Sequence, residues 1–215
     1  MANNRLSQLQ QDFLKAFFQR EDRFFLTGGA ALAGFYLGHR QTHDLDLFTL
    51  ADAMSGGMAA VTGAARELGA TLEAIQTAPD FRRVLLKRGN EAIVIDLVRE
   101  YVAQVVNDKP LINGVRVDPP QEILANKLCA LLSRSEIRDL VDVRALELAG
   151  YRMEDALAAA AAKDSGLTPA QLAWVLSQIE LGDDLIPPGG VSLEVLRLYL
   201  AALIIRLTTR SYPQS

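Results

Sequence analysis

Cysteine is almost absent from this chain. Cys129 is the single one in 215 residues, so no disulfide can form within the chain. A bridge-stapled scaffold is excluded, and the composition fits a reducing compartment. Histidine is scarce too, with only His39 and His43. No Cys/His cluster has metal-site spacing, and Ser-His-Asp hydrolysis finds no support. No apolar run approaches the roughly 18 residues that a membrane span requires. The most apolar stretch, residues 198–205, lies between Arg197 and Arg206 and reads as a buried helix. Residues 1–5 hold no apolar signal core, so a cytoplasmic location and no membrane partner are expected. The net charge of −4 is too mild for a general polyanion-binding surface. Any nucleic acid would have to meet a local basic patch, such as Arg82, Arg83, Lys87 and Arg88. Repeats and low-complexity tracts are missing as well. What is present is a chain half hydrophobic, enough for a substantial core in one or two domains.

The hydrophobic pattern divides the chain in two. Leu6, Leu9, Phe13 and Phe17 follow helical spacing up to Arg20, and residues 24–26 read as a buried strand. Gly28 and Gly29 turn the backbone, and residues 30–37 are predicted as a helix stopped by Gly38. Residues 44–48 form an alternating strand, and residues 51–68 a helix weakened by three glycines. Strands over residues 70–76, 81–88 and 91–98 follow, the last two joined at Gly89-Asn90. Asn113-Gly114 marks a further hairpin. After Asp118-Pro119-Pro120 no convincing strand remains, and helices are predicted over residues 121–133, 136–148, 153–163, 168–179 and 192–210. The expected fold is α/β (α+β), with a small mixed sheet in residues 1–118, an all-helical bundle in residues 119–215 and a cleft between them.

Two features carry chemistry. A Gly-Gly turn at a helix N-terminus presents free amide N–H groups and the positive end of the helix dipole, a natural anion site. Thr27, Gly28 and Gly29 are the candidate phosphate ligands. Asp44 and Asp46 then share one strand face, about 6–7 Å apart, where they repel each other unless a cation lies between them. A hard ion such as Mg²⁺ suits those oxygens. Asp96 lies in a strand apolar on both faces, where an ionised carboxylate needs a partner. It is either a third metal ligand or one half of a cross-strand ion pair with Arg83, directly opposite across the hairpin. In the helical half, Lys127 and Arg134 flank one apolar stripe. Lys127 either snorkels into water or reaches a nucleotide phosphate. Arg138 and Asp142 have the spacing of a local ion pair. Asp139 and Asp142 nevertheless share a face with Val143 and Leu146 on a helix apolar on two sides, so these carboxylates are expected to meet something specific.

The order strand, Gly28-Gly29, helix, Arg40-x-Thr42-x-Asp44-x-Asp46 strand resembles the polymerase-β-like nucleotidyltransferase core, and within it the AbiEii/AbiGii toxin-type nucleotidyltransferases. The family places a Lys and then an Arg-Asp-x-x-Asp helix after its third carboxylate, which Lys127 and Arg138-Asp139-x-x-Asp142 match. The resemblance spans roughly residues 24–148 and implies a polymerase-β-like core followed by helices. It implies Mg²⁺-dependent transfer of a nucleotide from an NTP to an acceptor hydroxyl, with pyrophosphate leaving. Asp44, Asp46 and Asp96 would form a two-metal site, with Lys127 and Asp139 catalytic and Arg40, Lys127 and Asp142 toward the nucleotide. It further implies the toxin of a toxin–antitoxin or phage-defence pair, an antitoxin partner, and tRNA or another RNA as acceptor. The alternatives are an antibiotic-type small-molecule nucleotidyltransferase and a nucleotide-binding regulator without turnover. One departure is Ala30, where family members commonly carry Ser or Thr.

Overall fold

The computed structural model describes residues 5–211, and the chain divides into two compact units. One runs to Val102 and resumes over Asn107–Pro119; the other takes Ala103–Val106 and everything from Pro120 onward. The return of Ala103–Val106 to the helical unit was not expected. Its cause is Glu122, whose carboxylate accepts the amide N–H groups of Val105 and Val106 at 2.7 and 2.8 Å. Glu122 is also paired with Lys163 at 2.5 Å, so the buried carboxylate is compensated.

The first unit begins with helix α1 (Gln8–Phe18), started by a capping box between Ser7 and Gln10. Strand β1 (Phe24–Thr27) leads directly into a short helix α2 (Gly28–Ala31), which widens into a π turn over Leu32–Tyr36. Strand β2 (Asp44–Thr49), helix α3 (Met54–Glu67), and strands β3 (Thr71–Ala78), β4 (Phe81–Arg88) and β5 (Glu91–Arg99) complete the sheet. The strand order is β1-β2-β5-β4-β3, with β2 and β5 parallel and the other pairs antiparallel. A two-residue hairpin, β6 (Leu111–Ile112) and β7 (Val115–Arg116), turns at Asn113-Gly114 as expected.

Alternation gives the sheet two unlike faces. Leu45, Leu47, Val84, Leu86, Ile93, Ile95 and Leu97 are buried on the face that α1 and α3 pack against. Phe24 joins them, with the Phe17 ring of α1 set edge-on at 5.7 Å. The opposite face carries Asp44, Asp46, Val94, Asp96, Val98 and Arg83. Burial of the first face fixes the register, because a slip of one residue would turn every aspartate inward.

The second unit is built of α4 (Pro120–Ser133), α5 (Ile137–Leu148), α6 (Met153–Lys163), α7 (Pro169–Ser177) and α8 (Leu193–Ser211). Its core is Ile123, Leu124, Leu128, Leu131, Leu140, Val143, Leu172, Leu196 and Leu203. Thr168 caps α7 by accepting the Gln171 N–H at 3.1 Å. Among the described residues no helix is long and apolar enough to cross a membrane.

Candidate active site

Registration across the sheet brings together residues that are far apart in sequence. Thr27 pairs with Asp46, Asp46 with Asp96, Asp96 with Arg83, and Arg83 with Gln76. These five side chains make one polar row across all five strands. The neighbouring row, Phe25, Phe48, Val98, Phe81 and Ala78, is apolar. Asp44 lies two residues from Asp46 on the same face, and both carboxylates are half-buried.

Gly28 is what allows the glycine turn to approach that row. Its φ is +66°, a conformation that costs a side-chain-bearing residue. A Cβ built on it would lie 2.5 Å from Asp46 Oδ2, so the carboxylate occupies the room that the missing side chain leaves. The helix starts here, at Gly28, rather than at residue 30 as its apolar pattern suggested. Arg40 is buried, and its guanidinium lies where a Cβ on Gly29 would be. It donates to the Gln41 carbonyl at 3.1 Å.

Thr27 has a partner within its own unit. Its hydroxyl donates to Asp118 Oδ2 at 2.5 Å, and the residue is buried. Asp118 in turn binds Lys109 at 2.8 Å, while the Lys109 ammonium lies 4.9 Å from the Phe25 ring centroid. This hydroxyl therefore anchors β1 to the segment after β7, and its proton is directed to Asp118. Thr27 gives no side-chain cap to the first-turn amides of α2.

Asp96 has the partner that the hairpin register offered. Arg83 donates Nε to Oδ1 at 2.8 Å and Nη2 to Oδ2 at 2.6 Å, so each oxygen of the buried carboxylate accepts one guanidinium N–H. The hydrogen bond to Asp96 holds the Arg83 guanidinium charged above its ordinary range, and the nearby Asp44 and Asp46 add to the effect. Among the described residues no group of three His, Cys, Asp or Glu side chains is gathered as a metal site. Asp96, expected as the third carboxylate, shares the sheet face and row of Asp46 and is ion-paired with Arg83. The Asp44–Asp46 pair still fits Mg²⁺, which is commonly held by one or two carboxylates and completes its shell with waters and phosphate oxygens.

The helical unit holds a second charged cluster. Lys127 is buried, with Nζ 2.6 Å from Asp139 Oδ1 and 2.7 Å from Asp142 Oδ2. It does not snorkel. Arg134 closes on Asp139 Oδ2 at 2.8 Å, while Arg138 reaches Glu136. Burial alone would push Lys127 down, yet Asp142 and Asp139 outweigh it and hold the ammonium above its usual range. Burial would likewise raise Asp139, but Lys127 and Arg134 hold it below the normal carboxylate range.

Comparison with known proteins decides the family. The family described as nucleotidyl transferase AbiEii toxin, type IV toxin–antitoxin system, matches residues 12–186. The chain belongs to the AbiEii nucleotidyltransferase toxin family. Its fold is similar to that of JHP933 from Helicobacter pylori at a TM-score of 0.58 and 20% identity, covering 94% of this chain and 90% of that one. It is also similar to MenT4, a nucleotidyltransferase toxin from Mycobacterium tuberculosis H37Rv, at a TM-score of 0.57 and 14% identity, covering 93% and 82%. No curated protein matches the chain. As an AbiEii member the chain is a toxin-type nucleotidyltransferase of mixed α/β fold.

Set against the AbiEii resemblance read from the sequence, the polar groups missed there are Lys109 and Asp118. Asp118 is 91 residues from its partner Thr27, and no local pattern links the two. Only the sequence position of Asp118, before two prolines, stood out, and it suggested a helix cap. Ala30 is buried in the first turn of α2.

Proposed function

We propose that this AbiEii member transfers a nucleoside monophosphate from an NTP to an acceptor hydroxyl, with pyrophosphate as the leaving group and Mg²⁺ required. The observation that carries the proposal is the placement of Asp46 against Gly28, next to first-turn amides that lack a side-chain cap. Asp44 and Asp46 would hold the ion. Bound there, Mg²⁺ would neutralise phosphate oxygens and orient the triphosphate for displacement. The N–H groups of Gly28 and Gly29 would receive phosphate oxygens at close range, and Arg40 beside Gly29 adds a fixed positive charge. Lys127 is assigned to the nucleotide on the family resemblance, with Asp139 and Asp142 holding it charged and in place. Asp96 belongs to the acidic row through Arg83. The acceptor we favour is an RNA such as tRNA, and an antitoxin protein is the expected genetic partner, both on the family's character.

The test is incubation of the purified protein with NTPs labelled at the α-phosphate, Mg²⁺ and total tRNA. Label moving into RNA supports the proposal. Label moving only to aminoglycosides would assign a small-molecule acceptor instead. Nucleotide binding with no transfer to either would leave a regulator, a reading that Ala30 favours.

A further inference from the structure

Helix α8 is apolar on two sides. Leu196, Leu200, Leu203 and Leu207 are buried in the core of the helical unit. On the other side, Val195, Leu198, Ala202, Ile205 and Thr209 alternate at spacings of three and four residues, the pattern of a coiled-coil seam. All of these are exposed, Leu198 and Ile205 at 66% each. A helix with a second apolar stripe is stable in water only when that stripe is covered as well. The stripe lies beyond residues 12–186, the part of the chain that the family matches.

The surface beside the stripe can receive such a ridge. Between α6 and α8 runs a groove of about 910 Å³, lined by Leu157, Ala158, Ala161, Leu167, Ile205 and Arg210 among others. On the opposite flank Trp174 of α7, 60% exposed, lines a groove of about 290 Å³ with Ile204 and Thr208. An apolar ridge next to an apolar groove is self-complementary under a two-fold axis, because each copy seats its ridge in the groove of the other. The area points the same way. A stable pair needs roughly 800 Å² per partner, and a helix about 28 Å long reaches that only with such flanks. Charge sets the direction. Asp184 and Glu194 are exposed at the start of α8, beside the Asp183–Arg197 pair, and Arg210 is exposed at its end. Antiparallel copies bring each acidic start to the other's basic end and oppose their helix dipoles.

We propose that the outer face of α8 is the interface between two copies of this chain, paired antiparallel with Ala202 at the two-fold axis. Val195 then meets the partner's Thr209, and Leu198 meets the partner's Ile205. The small side chains of Ala201 and Ala202 let the two backbones approach closely at the crossing point.

Light scattering on the full chain, followed across a concentration series up to about 100 μM, reads the mass directly. The wild type is expected as a dimer. Leu198→Glu and Ile205→Glu change exposed positions, so each should keep the wild-type urea midpoint while weakening the dimer at least about 100-fold. A monomeric wild type, or a dimer that survives both substitutions, would overturn the proposal. Disulfide trapping on a Cys129→Ser background tests the direction. Ala202→Cys should cross-link to its own copy on mild oxidation, as should an equal mixture of Val195→Cys and Thr209→Cys chains. Val195→Cys alone should not, because antiparallel pairing sets its two copies about 21 Å apart along the helices. Cross-linking of Val195→Cys to itself as fast as Ala202→Cys would mean parallel helices and would overturn the arrangement.

Discussion

Gly28→Ala places a single methyl group where the glycine turn and the acidic row meet. Two costs combine. The first is conformational: at φ +66° an alanine pays the left-handed penalty of about 1–2 kcal/mol. The second is steric. The new Cβ would lie 2.5 Å from Asp46 Oδ2, whereas ordinary contact begins at 3.4 Å, so the carboxylate has to move by about 0.9 Å. Forcing a methyl into occupied space costs another ~1–3 kcal/mol. A shift of about 1 Å in a group that positions substrate is enough for a ~100-fold loss of rate. Gly69→Ala is the control, because Gly69 has φ +62° but no atom within 4 Å of its built Cβ. It should show the conformational cost alone. Urea unfolding of the two variants should therefore differ by at least about 1 kcal/mol, with Gly28→Ala the less stable. Nucleotide transfer should fall about 100-fold in Gly28→Ala and stay near wild type in Gly69→Ala. Equal stabilities together with equal activities would refute the reasoning, since the steric contact with Asp46 would then count for nothing.

Three further outcomes follow from the buried charges. Lys127→Met leaves Asp139 and Asp142 buried without their shared ammonium and should destabilise the protein by about 3–5 kcal/mol in urea unfolding. The triple variant with Asp139→Asn and Asp142→Asn should recover most of that loss. Because Lys127 is raised, its stabilisation is complete below the unfolded lysine value of about 10.4 and is lost as pH climbs through the higher folded value. Asp139 is lowered, so its contribution is complete above about pH 3.9 and is lost as pH falls through the lower folded value. Urea midpoints measured from pH 3 to 12 should show both limbs in the wild type, and a weaker alkaline limb in Lys127→Met. Thr27→Val removes a buried hydrogen bond to a carboxylate and should cost about 1.5–3 kcal/mol. Its KM for NTP should stay within about twofold of wild type; a rise of tenfold would mark the hydroxyl as a phosphate ligand.

How much of this was legible in the sequence depends on the range of the interaction. Strand alternation placed Asp44 and Asp46 on one face, and the two-residue turn at Gly89-Asn90 placed Arg83 opposite Asp96, because both follow from local geometry. The family was legible because its motifs fall in a fixed order along the chain. The alignment of Asp46 with Asp96 was not, since it depends on a parallel crossover between β2 and β5 whose register no hairpin sets. The start of α2 was misplaced for a different reason. Gly28 has low helix propensity, but it begins the helix because only a glycine fits beside Asp46. Lys127 was ambiguous on its own helix: its two partners come from α5, and an apolar stripe gives no sign of a buried ion pair.

The central claim is that nucleotide transfer runs at the Asp44–Asp46 pair, and Asp46→Asn tests it most directly. The substitution keeps the shape beside Gly28 and removes one negative charge next to Asp96, so the urea midpoint should stay at or above that of the wild type. Transfer of α-phosphate label from NTP to RNA in Mg²⁺ should drop by at least about 100-fold. A folded Asp46→Asn protein that transfers label at the wild-type rate would contradict the account.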